Sequence, residues 1–314
     1  MTRSRDAGGA RGAPNVGEMV SNSSGLDAPA SGTGTTGVSA TALQTTRISP
    51  ELGWKSTFGE LVEHREVLYF LVLRNLKIRY RQTALGAVWA VLQPLMLMLV
   101  FVLVAQKILH VSSEGVPYPV FTFAALIPWT LFSAALTTTS ESVVRDINLV
   151  SKVYVPRLLL PISAIGALLA DFFVSFVLLL VMMGIYGIEP RVSALFWIPA
   201  LTVLMLVLTV ALGALLSALM VRYRDIRSVV PLLVQLWLFA TPIAYSITLI
   251  PHRWRAAYGL NPMAGPVAGF RSALLGTPAP DGAMLAVSVV TTLVLLAIGI
   301  TYFIRTDATF ADVI

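Results

Sequence analysis

Six stretches of this chain are long enough to cross a bilayer and almost empty of charge. Asp, Glu, Lys and Arg are absent from 82–106, 115–140, 192–221, 228–252 and 282–304, and Asp171 alone interrupts 158–188. A helix rises about 1.5 Å per residue, so roughly 20 apolar residues cross the hydrocarbon layer. Each window meets that length. Peptide groups in hydrocarbon must be satisfied within their own segment, which makes such windows helical. Composition agrees, with 12% of residues charged where soluble domains carry roughly 25%. The expected fold is all-α: a polytopic helical membrane protein with six transmembrane helices in 84–314.

The spans are expected at about 84–109, 119–139, 159–187, 194–221, 229–249 and 283–304. Pro94 should bend the first, Pro128-Trp129 should interrupt the second, and Pro242 falls inside the fifth. Between spans five and six, 250–282 is dense in Pro and Gly. Its apolar run 267–275 is too short to cross and too apolar for a free loop, which predicts short re-entrant or interfacial helices. Upstream, 47–83 forms its own segment. Phe58, Leu61, Val62, Leu68, Tyr69, Val72 and Leu76 recur at helical steps opposite Glu60, Glu63, His64, Glu66, Arg74, Lys77 and Arg81. That pattern predicts an amphipathic helix in the cytoplasmic headgroup layer. The first 46 residues read as a disordered cytoplasmic tail, since 19 of the 26 residues in 21–46 are Ser, Thr, Gly or Ala. They hold no apolar signal-peptide core, so the first span is expected to act as its own insertion signal.

Orientation follows from the basic residues. With the N-terminus inside, 17 of the 22 Lys and Arg fall on the cytoplasmic side, and both termini are expected there. The net charge of +6 is then topology rather than affinity for nucleic acid. Enzyme chemistry finds little support. There is no cysteine; His64, His110 and His252 all lie away from the span centres; and no HExxH or clustered acid set offers metal ligands. No catalytic residue, metal or resident cofactor is expected. Nor is there a GxxxxGK[ST] loop to cradle a nucleotide. If ATP drives this protein, ATP and Mg²⁺ bind in a partner chain.

Asp171 is the one ionisable group well inside a span. It should face protein or water, either as a structural hydrogen-bonding group or as the proton site of a proton-coupled secondary transporter. No other span supplies a partner carboxylate, which favours the structural role. Aromatics in such proteins mostly form interfacial belts and pack helices, and a few can line a conduit. The candidates are Trp89, Phe121, Trp129, Phe132, Trp237, Phe239 and Tyr245. Two cytoplasmic segments concentrate the remaining charge: 141–152, read as a short amphipathic helix, and 222–228.

Several ordered motifs resemble one family. Arg74-Asn75-Leu76-Lys77-Ile78-Arg79-Tyr80-Arg81-Gln82-Thr83, Leu85-Gly86, Trp89 and Leu92-Gln93-Pro94-Leu95 lead into the first span. Asn148-Leu149-Val150-Ser151-Lys152-Val153-Tyr154-Val155-Pro156-Arg157 and Pro161 follow the second. Arg222-Tyr223-Arg224-Asp225-Ile226, Thr241-Pro242-Ile243 with Tyr245, Asn261-Pro262-Met263 and Phe310-Ala311-Asp312-Val313-Ile314 complete the series. Over about 55–314 the chain resembles the membrane subunits of ABC transporters that export O-antigen, capsule or teichoic acid polysaccharides. The resemblance implies a multi-pass protein of the bacterial plasma (inner) membrane, paired with a second copy of itself and two copies of an ATP-binding cassette ATPase. It implies a lipid-linked polysaccharide as cargo and membrane lipid as surroundings. By position, 141–152 would be the coupling helix, so that Arg145, Asp146, Asn148 and Lys152 dock the ATPase, with Arg224 and Asp225 as a second contact. The helix at 58–81 would be a gate helix, and 250–282 would form re-entrant helices at the outer exit. Arg74, Lys77 and Arg81 would attract the lipid phosphate.

Overall fold

The computed structural model describes Gly59 and residues 62–81, 88–146 and 156–307, all within one compact unit, Pro50–Ile314. The tail at 1–46, the docking candidates Asn148 and Lys152, the Gln82-Thr83 and Leu85-Gly86 motifs and the terminal Phe310-to-Ile314 motif lie outside these residues. Nine helices and no strand occur among the described residues. They are α1 (Arg65–Arg81), α2 (Val88–Phe101), α3 (Tyr118–Arg145), α4 (Leu159–Ile185), α5 (Ala194–Arg222), α6 (Ile226–Ala240), α7 (His252–Tyr258), α8 (Ala264–Leu275) and α9 (Gly282–Asp307). The all-α expectation holds. Five helices are long and apolar enough to cross a membrane: Val88–Ile108, Tyr118–Arg145, Leu159–Ile185, Ala194–Arg222 and Gly282–Thr306.

α3 is the central helix, packed against α2, α4, α5, α6 and α8. Its inward residues, among them Phe121, Phe123, Leu126 and Phe132, form the main core with Leu168, Met205, Met263 and Phe270. Against hydrocarbon, apolar burial gains little, so helices here associate through close packing of small residues. Gly213 of α5 sits against Thr139 of α3, and Gly299 of α9 lies on the Ala211 carbonyl of α5. A Cβ at either glycine would collide.

Three expectations need correcting. Pro128 does not interrupt the second span: α3 runs through it for 28 residues. Beyond the proline, the hydroxyls of Thr130, Ser133, Thr137 and Thr138 bond back to carbonyls three or four residues earlier, so these polar side chains are satisfied within the helix itself. α2 keeps its α-helical hydrogen bonding on both sides of Pro94 and gives way to a π-helical stretch at Val102–Ile108. Of the short helix expected over 141–152, residues 141–145 are the last residues of α3, and 147–152 lie outside the described residues. Val143 there is buried against Leu158, Ala218 and Phe303, out of reach of any partner. Finally, 229–249 is not one helix. α6 ends at Ala240, and Thr241 turns extended (φ −105°, ψ 141°), as a residue before proline prefers. A short 3₁₀ turn, Ile247–Leu249, then leads to α7.

Candidate functional site

The polar chemistry of the bundle gathers in two places: along α1, and around the break after α6. On α1, Leu71, Asn75 and Arg79 recur every four residues and so share one face. Leu71 packs on Leu159 and Leu160 of α4. Asn75 Nδ2 donates to Ser163 Oγ at 3.3 Å. Arg79 pairs with Asp171 at 2.5 Å, and the Tyr80 hydroxyl donates to the same carboxylate. These contacts advance together along both helices, so α1 runs beside the first half of α4 in the same sense. Gly166 makes room for it, because a Cβ there would meet Val72 at 2.7 Å. The buried stripe therefore differs from the expected one: Val62 and Tyr69 are exposed.

Arg74 leaves this face to reach the end of α3, where Nη2 donates to Asp146 Oδ1 at 2.9 Å. Arg145 lies 3.7 Å from the same carboxylate. A second pair joins Glu141 of α3 to Arg227 of α6 at 3.1 Å. Ion pairs thus tie together α1, the end of α3 and the start of α6. Of the three residues expected to attract phosphate, Arg74 is engaged in this tie. Lys77 and Arg81 are exposed, with no carboxylate within ion-pair distance among the described residues. Of the docking candidates, Arg145, Arg224 and Asp225 are exposed, while Asp146 is largely shielded.

Asp171 has partners that spans alone did not offer. Both its oxygens are occupied from α1, one by a guanidinium and one by a phenol. Burial and the carboxylate itself push the Tyr80 phenol up to about 12, so it stays a proton donor at neutral pH. A cavity of about 300 Å³ opens beside this cluster, lined by Arg79, Tyr80, Trp89, Gln93, Asp171 and Ser175.

At the second place, residues 240–245 expose carbonyls that no helix satisfies, and side chains capture them. Asn261 Nδ2 and the Tyr258 hydroxyl donate to the Ala240 carbonyl at 2.8 and 2.5 Å. Arg271 donates to those of Pro242 and Tyr245. The Tyr118 hydroxyl takes that of Ala244 at 2.7 Å. Asn261 Oδ1 also accepts from Trp237 Nε1 and from the Met263 amide. Arg271 is 1% exposed, its guanidinium 3.8 Å from the centroid of Phe121, a cation held by a ring face and carbonyls. Sequence inspection singled out Asn261-Pro262-Met263 but missed Arg271, which in a count of charges is only one more basic residue between spans.

The conduit candidates separate accordingly. Phe121, Trp129 and Phe132 are buried within the chain and have no face to offer a passage. They pack with one another's neighbours, Phe132 edge-on to Trp237 at 5.2 Å. Trp237 and Tyr245 are engaged at the break. Trp89 and Phe239 are exposed.

A bundle with five crossing-length helices among the described residues, a charged helix bound along its side and ion pairs joining helix ends has the build of a multi-pass membrane protein. Residues 66–275 match the ABC-2 type transporter family, and the chain belongs to that family. It is 33% identical over 238 residues to the O-antigen export system permease protein RfbA of Myxococcus xanthus, covering 74% of this chain and 90% of that protein. A protein of the same name from Klebsiella pneumoniae is 24% identical over 79% of this chain and 95% of its own length. The polysialic acid transport protein KpsM of Escherichia coli is 24% identical over 74% and 90%.

Proposed function

We propose that this chain is the membrane-spanning subunit of an ABC exporter that moves a lipid-linked cell-envelope polysaccharide from the cytoplasm across the inner membrane. A separate ATPase, which holds the ATP and Mg²⁺, powers it. The observation that carries this reading is the match along nine-tenths or more of the length of proteins named as O-antigen export permeases. Two copies of the chain flank the conduit and bind two ATPases. Both termini are cytoplasmic, α6 with the broken segment after it makes the sixth crossing, and α7 and α8 are re-entrant. The end of α3, where Val144 and Arg145 are exposed, and the largely exposed segment 222–228 receive the ATPase. Lys77 and Arg81 draw the lipid phosphate toward α1, while Arg74 links α1 to the docking end of α3. Trp89 and Phe239 offer the ring faces along which sugars slide. Membership of a family of ABC-2 type transporters supports ATP as the energy source over the proton-coupled alternative at Asp171.

Removing the protein from its cell tests the assignment. Lipid-linked glycan should accumulate on the cytoplasmic side and disappear from the surface; an unchanged envelope would overturn the reading. Converting Lys77 and Arg81 together to Gln should reduce substrate-stimulated ATP hydrolysis by the assembled complex severalfold. Full stimulation would remove their role.

A further inference from the structure

At the end of α4 far from the α1 contacts, a second cavity of about 390 Å³ lies between the starts of α5 and α9 and the side of α8. It is built as an amphipathic slot. Its floor is apolar, with Leu201 buried and Leu285 half-buried, and Arg191, Ser193 and Trp197 stand exposed at its mouth. The volume falls in the range of small-molecule sites.

Arg191 is held in place at this mouth. Its Nη2 donates to the Gly276 carbonyl at 3.2 Å. Gly276 has φ +74°, and a Cβ there would sit 2.6 to 2.8 Å from the guanidinium. Only glycine permits both that backbone and that approach. A guanidinium has five N–H donors, and one is used here. No Asp or Glu lies within ion-pair distance of it among the described residues, and the nearby Asp281 is turned to His252 and Arg255, each at 3.6 Å. The first amides of α5 are already taken by the carbonyls of Arg191, Val192 and Ser193, so the guanidinium is the site's positive group. Beside it Val192, Leu195 and Phe196 are 90, 83 and 71% exposed. A fixed cation amid exposed apolar side chains, with a tryptophan at the rim, has the character of a membrane interface.

We infer that this slot binds an anionic phospholipid. The headgroup phosphate sits on Arg191 and Ser193, and the first acyl carbons lie over Leu201 and Leu285. Guanidinium and phosphate form charge-assisted, forked hydrogen bonds, and the apolar floor distinguishes a lipid from free phosphate.

The test uses the full chain in detergent micelles, with bound lipid read by native mass spectrometry. Wild type should retain phosphatidylglycerol over phosphatidylcholine. Arg191→Gln should lower that preference roughly five-fold, the equivalent of about 1 kcal/mol for one basic contact to an anionic headgroup. Ser193→Asp should lower it as well by placing a negative charge at the mouth. Ser193 is exposed and its side chain makes no capping hydrogen bond, so this substitution removes no contact of the fold and keeps the test interpretable if the arginine variant does not fold. Undiminished phosphatidylglycerol retention in both variants would overturn the proposal. Displacement of the lipid by an equal concentration of inorganic phosphate would overturn the lipid assignment in favour of a free-anion site.

Discussion

At Asp171 a carboxylate in the wall of α4 is answered by a cation and a phenol from α1, and its surroundings separate two roles. A proton site must exchange protons as it works, whereas an anchor must only remain paired. Asp171→Asn keeps an acceptor for Tyr80 but loses the charge facing Arg79, whose side chain is 41% exposed and can turn to water. The expected loss is about 1 kcal/mol, as for partly screened pairs, seen as a small fall in the unfolding midpoint in detergent. Export should persist at normal coupling. Abolished export with unchanged stability would instead mark a proton-coupling site. Arg271 behaves differently because it cannot turn outward. Arg271→Met fills much of the same volume but leaves the Pro242 and Tyr245 carbonyls without their donor. An orphaned buried acceptor costs about 1–3 kcal/mol, and the contact with the Phe121 ring is lost too. Thermal unfolding should therefore fall by more in this variant than in Asp171→Asn. Equal midpoints would mean that Asn261, Tyr258 and Tyr118 hold the break after α6 without Arg271.

Helices here meet at glycines, and the nature of the opposing atom decides what a substitution does. A Cβ at Gly299 would strike the Ala211 carbonyl, part of the α5 backbone, so Gly299→Ala has to part α5 from α9. Overpacking of this kind costs about 1–3 kcal/mol, read as a lowered unfolding midpoint that no side-chain change relieves. At Gly166 the opposing atoms are the Val72 methyls. Gly166→Ala should loosen α1 from α4, and Val72→Ala should restore it; no recovery in the double variant would refute this pairing. Such contacts explain what was legible in sequence and what was not. The long helices were legible because hydrophobic length and charge exclusion are local properties. Where α6 ends was only half legible: Pro242 signals a break, but the break is tolerated because Asn261, Tyr258, Arg271 and Tyr118, distant in sequence, capture its carbonyls. The partners of Asp171 are not legible from the spans, because Arg79 and Tyr80 lie on a helix outside them. Phe121, Trp129 and Phe132 show the converse error, since an aromatic in a span looks alike whether it faces a passage or a core.

Across the whole molecule the ion pairs form a chain of connections. Arg227 binds Glu141 at the start of α6, α3 carries Asp146 five residues further on, and Asp146 binds Arg74 of α1, which is itself fastened to α4 through Arg79 and Asp171. In the proposed exporter the ATPase presses on 141–152 and 222–228. The Glu141/Arg227 pair joins the end of α3 to the start of α6, and the Arg74/Asp146 pair is the direct route from the end of α3 to α1. Linkage between sites commonly amounts to about 1–3 kcal/mol, a factor of roughly 5 to 150. Arg74→Asp or Asp146→Arg alone sets like charges against each other and should cut export at least about five-fold while the assembled complex still hydrolyses ATP. The combined exchange recreates the pair with its signs reversed and should recover most of that export. Recovery separates this role from phosphate attraction, because an aspartate at position 74 repels a lipid phosphate whatever residue stands at 146. If the exchange fails while Lys77 and Arg81 remain intact, Arg74 acts on the substrate, and α1 receives its motion through α4 instead.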